Sequence, residues 1–313
     1  MPFDLTQLPA PQLIEALDFE TLFGVRKQRL LAAAPAELRD ALAATLELES
    51  EPLTLLLQEN AYTELVLRQR INDAAKARML AFARGADLDH KAAEYGVQRL
   101  LIVPADPNAE PPVEAVWESD ERLQLRCQLA PEGLSVAGSR GAYLFHTLSA
   151  SPFVVDALVD SGNAGPKRPD GPAPGEVHVY VLDTRGDGVP APDLLATVQA
   201  SLSAETVRPL NDRVLVCAGQ PERFVIRAQI EFEDGGEALS GGLDAARKRL
   251  DAVLASAKRL GTGQKPSGLP PSALVTALKV PGVHDVILLA PTAPIARAVG
   301  AFPLCTDIQM EKA

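Results

Sequence analysis

The sequence predicts an α+β protein, with an N-terminal helical bundle arm ahead of a mainly antiparallel α+β region. Three features carry that reading. Apolar residues recur at helical spacing through residues 1–95. From Pro152 onward, short β-like runs alternate with helix-like ones. Their order, β-β-α-β-β-α-α-β, suits strands that meet mostly antiparallel. A chain of 313 residues, 47% hydrophobic and 23% charged, has length for about two domains and material for a sizeable core.

The first helix is read from LPAPQLIEALDFETLFGVRKQRLLAAA, with Leu13, Leu17, Leu22 and Val25 as its apolar positions. A second begins at Pro35, a residue suited to a first turn, and carries Leu38, Leu42 and Leu46. A third starts after Ser50 and runs to about Arg84. Its inner stripe is Leu53, Leu57, Ala61 and Leu65, with Arg68, Arg70, Lys76 and Arg78 largely elsewhere. Gly85 suits a C-terminal cap, and a short helix from Asp87 to Tyr95 ends at Gly96. A helix of about thirty residues is well above the globular mean, so it is a scaffold element or part of a multi-chain bundle. Its apolar positions exceed a strict heptad seam, which favours the bundle.

Residues 103–117, VPADPNAEPPVEAVW, hold four prolines and read as an extended linker. Ser119 then caps a helix with Asp120 and Glu121 in its first turn, ending before Pro131. Strands follow at 153–159 and 176–183, around the Gly/Pro-rich loop SGNAGPKRPDGPAPG (161–175). Next come a helix over 192–203, strands at 213–219 and 223–232, and a long helix from about Leu239 to Leu260. A helix near Pro271–Leu278 and a strand at 284–291 complete the set.

Charge and cysteine usage narrow the function classes. The net charge is −11, from 30 basic and 41 acidic residues. The nearest approach to a basic run, Arg247-Lys248-Arg249, sits among acidic neighbours in a helix-like stretch. Neither nucleic acid nor an anionic membrane surface is expected as partner. Cys127, Cys217 and Cys305 stand far apart, which suggests a reducing compartment and no disulfide framework. MPFDLTQLPAPQ has no basic n-region or apolar h-region, so no signal peptide is expected. The most apolar late stretch, 286–302, is broken by two prolines and an arginine, so no membrane span is expected.

One stretch looks like chemistry: EGLSVAGSRGAYLFHTLSAS, residues 132–151. A nucleophile elbow needs G-x-S-x-G, yet Gly133-Leu134-Ser135-Val136-Ala137-Gly138 is one residue too long. A phosphate loop needs lysine after its second glycine, and Ser139-Arg140 follows Gly138. The structural reading is preferred: glycines permit turns, Ser139 caps a helix, and Gly141–Ala150 is that helix. His90, His146, His178 and His284 form no pair at metal-ligand spacing. Arg185-Gly186-Asp187 spells an adhesion tripeptide but is also ordinary turn chemistry. In LGTGQKPSG (260–268), Lys265 precedes a proline that removes an N–H a phosphate cradle would use, so a connection is expected. Aromatic residues make up 4%, too few for a stacking-based glycan or base site. No catalytic, cofactor-binding or metal-binding residue is assigned.

Several segments, in this order and spacing, resemble the baseplate J-like proteins, the larger wedge components of contractile tails such as P2-like phages and R-type pyocins. They are LPAPQLIEALDFETLF (8–23), the run from Leu46 to Asp89, ESDERLQLR (118–126) and EGLSVAGSRGAYLFH. VRPLNDRVLV (207–216), RLGTGQKPSGLPPSALVTAL (259–278) and VPGVHDVILLAP (280–291) extend the resemblance over nearly the whole chain. PKRPDGPAPG (166–175) is less familiar.

The resemblance implies a structural protein without catalytic residues or cofactor. Its implied partners are a second copy of itself, the smaller wedge subunit tail protein I, a small lysozyme-like wedge or sheath-initiator protein, and neighbouring wedges around a central hub. It would be made in the bacterial cytoplasm and assembled into the tail baseplate of a released particle, linking hub to sheath and fibres and rearranging on triggering. Residues 1–95 would be the arm of a mixed-chain bundle, 96–151 a linker with junction helices, and 152–313 a ring-forming, dimerising domain. Gly133, Ser135, Gly138 and Gly141 would shape the junction. Two rival readings are a soluble adaptor or adhesin using Arg185–Asp187, and a serine hydrolase using Ser135 and His146.

Overall fold

A computed structural model describes residues 4–9, 17–161, 171–262 and 268–313. Leu13, Lys265 and residues 162–170 of the Gly/Pro-rich loop lie outside them. The chain divides into two compact units. One comprises Pro2–Gln98 with Asp120–Gln124; the other comprises Arg99–Ser119 with Leu125–Ala313.

The first unit is helical. It contains α1 (Phe19–Ala33), α2 (Arg39–Thr45), α3 (Pro52–Ala77) and α4 (Gly85–Glu94). Pro52 opens α3 at a position where a missing N–H costs nothing. Arg26 on α1 reaches Glu64 on α3 at 2.7 Å, and Arg68 meets the same carboxylate at 2.7 Å. Hydrogen bonds from Arg68 and then Arg26 hold the Glu64 carboxyl below its ordinary value. The core is thin: among the described residues, Leu46, Leu88 and Leu123 are the large side chains of this unit that are fully buried.

Two helix boundaries differ from expectation. α3 stops at Ala77 rather than near Arg84, and Gly85 opens α4 instead of closing α3. The reason is non-local. Gln124 donates its side-chain amide to the carbonyls of Leu80 and Ala83, at 2.7 and 3.3 Å. That supplies the turn between the helices with a partner some forty residues away.

The second unit is α+β. Its strands are β1 (Leu101–Val103), β2 (Val116–Trp117), β3 (Val154–Ser161), β4 (Glu176–Asp183), β5 (Arg213–Ala218), β6 (Gln220–Phe232), β7 (Val283–Ala290) and β8 (Ala301–Lys312). Helices α6 (Arg140–Ala150), α7 (Pro192–Leu202), α8 (Gly236–Ser240), α9 (Gly242–Ala257) and α10 (Pro271–Leu278) accompany them. α5 (Asp120–Gly133) opens in the helical unit and continues here.

The α+β class is as expected, but the sheets are mixed rather than mainly antiparallel. In β3–β4–β5 the first pair is antiparallel and the second parallel; in β7–β6–β8 the pairing is antiparallel and parallel likewise. The cause in the first sheet is α7, a crossover that returns the chain in the direction of β4. Val177, Val179 and Val181 alternate inward along β4 and pack with Leu148, Leu194, Val198 and Leu202. A second core sets Ile226, Ala228 and Ile230 against Ala246, Leu250, Leu274 and Leu278. Leu182, Leu260 and Phe302 form a third cluster, with Tyr180 and Leu304 packed on it.

Other expectations are corrected. Residues 103–117 fold back on themselves: β1 pairs antiparallel with β2, and Asp106 and Val113 exchange backbone hydrogen bonds of 2.9 and 3.0 Å. Pro131 lies inside the last turn of α5, where it forfeits the hydrogen bond to the carbonyl four residues back, and the helix ends two residues later at Gly133. The long helix near 239–260 is two helices, because Gly241 turns to φ +80°. β8 was not expected at all.

A partly buried carboxylate joins the elements of this unit. Asp156 on β3 accepts the Leu260 N–H at 2.8 Å, with Arg259 at 4.0 Å. Burial pushes its carboxyl up; the Leu260 N–H, Arg259 and Arg297 oppose that shift without cancelling it. A folded-state value above the unfolded one means the folded chain holds the proton more tightly. Stability should therefore fall as pH rises from the ordinary carboxylate range through the raised value. Asp156→Asn keeps an acceptor for Leu260 and removes the titration. We expect its urea midpoint to exceed the parent's near neutrality, with the difference shrinking in acid; a constant difference across pH would refute the assignment.

Candidate assembly interface

α3 has an inverted burial pattern. Its buried residues are Thr54, Ala61 and Asn72, small or polar side chains. Around the outside stand Leu55 (51% exposed), Leu56 (56%), Tyr62 (57%), Val66 (40%), Leu67 (54%) and Ile71 (57%). At 3.6 residues per turn, Leu55, Tyr62 and Val66 form one stripe, while Leu56, Leu67 and Ile71 form another. The expected stripe of Leu53, Leu57, Ala61 and Leu65 is the inward side, with Ala61 buried and the three leucines half-buried. Leu38 and Leu48 on neighbouring turns are also exposed. An isolated soluble helix seldom shows so much contiguous apolar surface, and such patches mark association sites.

The glycine–serine stretch is a structural corner of the α+β unit. The Ser139 hydroxyl accepts the Ala142 N–H at 3.2 Å and caps α6. Gly138 has φ +75°, and a Cβ there would stand 2.8 Å from both Asp212 and Pro209. Asp212 in turn accepts the Tyr143 hydroxyl at 2.7 Å. A Cβ on Gly133 would enter the Phe145 ring, and one on Gly141 would collide with the Glu132 carboxylate. Ser135 accepts the Ala137 N–H at 3.3 Å, whereas His146 Nε2 lies 3.1 Å from the Gly133 carbonyl. Serine and histidine are each turned to backbone, and burial holds the His146 imidazole below its ordinary pKa. No nucleophile–base pair is assembled from them.

Behind this corner, Glu118 and Arg126 form a buried ion pair, with side-chain exposures of 0% and 5%. Glu118 also accepts the Leu100 N–H at 3.0 Å, while its own carbonyl accepts Arg99 at 2.8 Å. Arg126 reaches Ser149 on α6 at 3.2 Å. One pair thus ties the β1–β2 ribbon to α5 and α6.

Comparison with known proteins decides the family. The baseplate J-like N-terminal domain matches residues 49–106, and the baseplate J-like central domain matches residues 135–218. Over 307 residues the chain is 44% identical to baseplate protein J of Escherichia phage P2, covering 98% of this chain and 96% of that one. The chain belongs to the baseplate J-like family.

In this baseplate J-like chain the N-terminal match takes in α3 with its exposed stripes, together with α4 and β1. The central match runs from Ser135 through α6 to β5. The remaining candidate motifs serve the fold. Arg185 chelates Asp183 through bonds of 2.8 to 3.1 Å and lies over the Phe153 ring, so the adhesion-like tripeptide is a turn between β4 and α7. Cys127 is buried, which pushes its thiol up to about 11; burial raises Cys217 and Cys305 as well. Among the described residues, no cluster of His, Cys, Asp or Glu could hold a metal, and no helix is long and apolar enough to cross a membrane.

Proposed function

We propose that this chain is a wedge subunit of a contractile-tail baseplate, a structural role that needs no catalysis of its own. Family membership makes it a structural component of a phage-tail baseplate; the wedge role is the finer reading. The observation that carries it is α3, which buries Thr54, Ala61 and Asn72 while six large apolar side chains face outward. A thin-cored helical unit of this kind is completed by helices of other chains.

In this reading residues 1–95 form the arm of a mixed-chain bundle with a second copy and the smaller wedge subunit. Residues 96–151 are the junction, and 152–313 close a ring around the hub. An exposed surface poor in aromatics binds through aliphatic packing and polar contacts, which suits an interface that must hold and later rearrange. Native mass spectrometry of the chain co-expressed with its smaller wedge partner tests this. Two copies of this chain with one partner are expected; a monomer indifferent to the partner would overturn the wedge role.

A further inference from the structure

Among the described residues, the sheet β3–β4–β5 leaves one edge of β5 without a neighbouring strand. β5 reads RVLVCA: six residues, no proline, and no charge after Arg213. Short, apolar, β-branched edges of this composition pair readily with other chains. The other sheet manages its edges differently. β8 carries Pro303, Asp307, Glu311 and Lys312, and the pairing of β7 with β6 is irregular near both of its ends.

On this edge of β5 a side chain stands where a strand would lie. Gln199 on α7 donates Nε2 to the Val214 carbonyl at 3.0 Å, and its Oε1 accepts the Val216 N–H at 2.9 Å. In a parallel ladder, one residue bridges its neighbour in this way, donating to one carbonyl and accepting from the N–H two residues on. The amide of Gln199 therefore reproduces one residue of a parallel strand. It is held there by α7, whose Leu194, Val198 and Leu202 are buried in the core, and by a 3.0 Å contact from Nε2 to Ser203 Oγ.

We propose that Gln199 is a strand mimic: it occupies the parallel-strand position beside β5 and keeps that edge from accepting an extended segment of a second copy. The inference goes beyond the wedge reading and holds whether or not that reading does. In a particle that crowds copies of one chain together, an open RVLVCA edge would compete with the intended contacts.

The test uses the full chain and Gln199→Leu, which keeps the size and removes both hydrogen bonds. In dilute solution the Val216 amide should exchange at least ten-fold faster in the variant. At high concentration, light scattering and native mass spectrometry should find oligomers that the parent lacks, with Val216 protected again inside them. Parent-like exchange at Val216 would overturn the proposal. So would a variant that exposes Val216 yet stays in the parent's oligomeric state, or one whose new oligomers leave Val216 unprotected. If Gln199→Leu fails to fold, Gln199→Asn, one methylene too short to bridge both groups, is read by the same criteria.

Discussion

A chain carrying glutamate at both Leu56 and Leu67 is expected to fold as the parent does and to fail to enter the proposed mixed-chain complex. Both residues lie on one outer stripe of α3 and are more than half exposed, so neither supports the helical unit's own core. Glutamate is as good a helix former as leucine, so α3 should persist. What changes is the face. Two carboxylates on an apolar contact must be desolvated without partners, and an anchor residue is worth about 2 kcal/mol or more to an interface. That is roughly a 30-fold loss per anchor, which takes the assembly below detection at micromolar concentrations. Circular dichroism should match the parent while native mass spectrometry shows the free chain. Entry into the complex at full stoichiometry would mean that this face is not the contact.

The second large effect concerns Glu118 and Arg126. Arg126→Ala should destabilise the α+β unit by about 3–5 kcal/mol, because it takes the guanidinium away from a buried carboxylate. A domain is stable by about 5–15 kcal/mol, so much of its margin would go. Urea denaturation measures the loss. The double variant Glu118→Gln with Arg126→Met should recover part of it, since neither group then carries a buried charge. A single-variant cost below about 1 kcal/mol would show that the pair is effectively solvated.

Local signals reached far along this chain. β4 and α10 fall where alternation and helical spacing put them, because each is a strongly patterned run with clear punctuation: EVHVYVLD with alternate valines, and PSALVTAL opened by a proline. The Ser139 cap was equally legible, since its partner is three residues away. β8 was not. AFPLCTDIQMEK mixes a proline with polar residues and becomes a strand through parallel pairing with β6, some eighty residues earlier. An edge position tolerates both features. The short ribbon of β1 and β2 hid among four prolines for the same reason, as its pairing is what makes it a strand.

The candidate interface divides along the same line. Helical spacing marked α3 as apolar on more than one side, and the family resemblance lay in the order of whole segments. Which stripe is covered is another matter. Thr54, Ala61 and Asn72 are buried on the side where α1 packs, leaving six large apolar residues exposed on the other faces. Glu118 and Arg126, eight residues apart, read as solvated charges until the fold removes water from both. Gln199 likewise reads as a polar helix residue until β5 arrives beside it. The sequence by itself determined the α+β class, most elements and the family, since those depend on periodicity, turn chemistry and segment order. Tertiary structure alone decided which apolar faces stay open, which charges are buried and which strand edge is occupied, because burial is a property of neighbours distant in the chain.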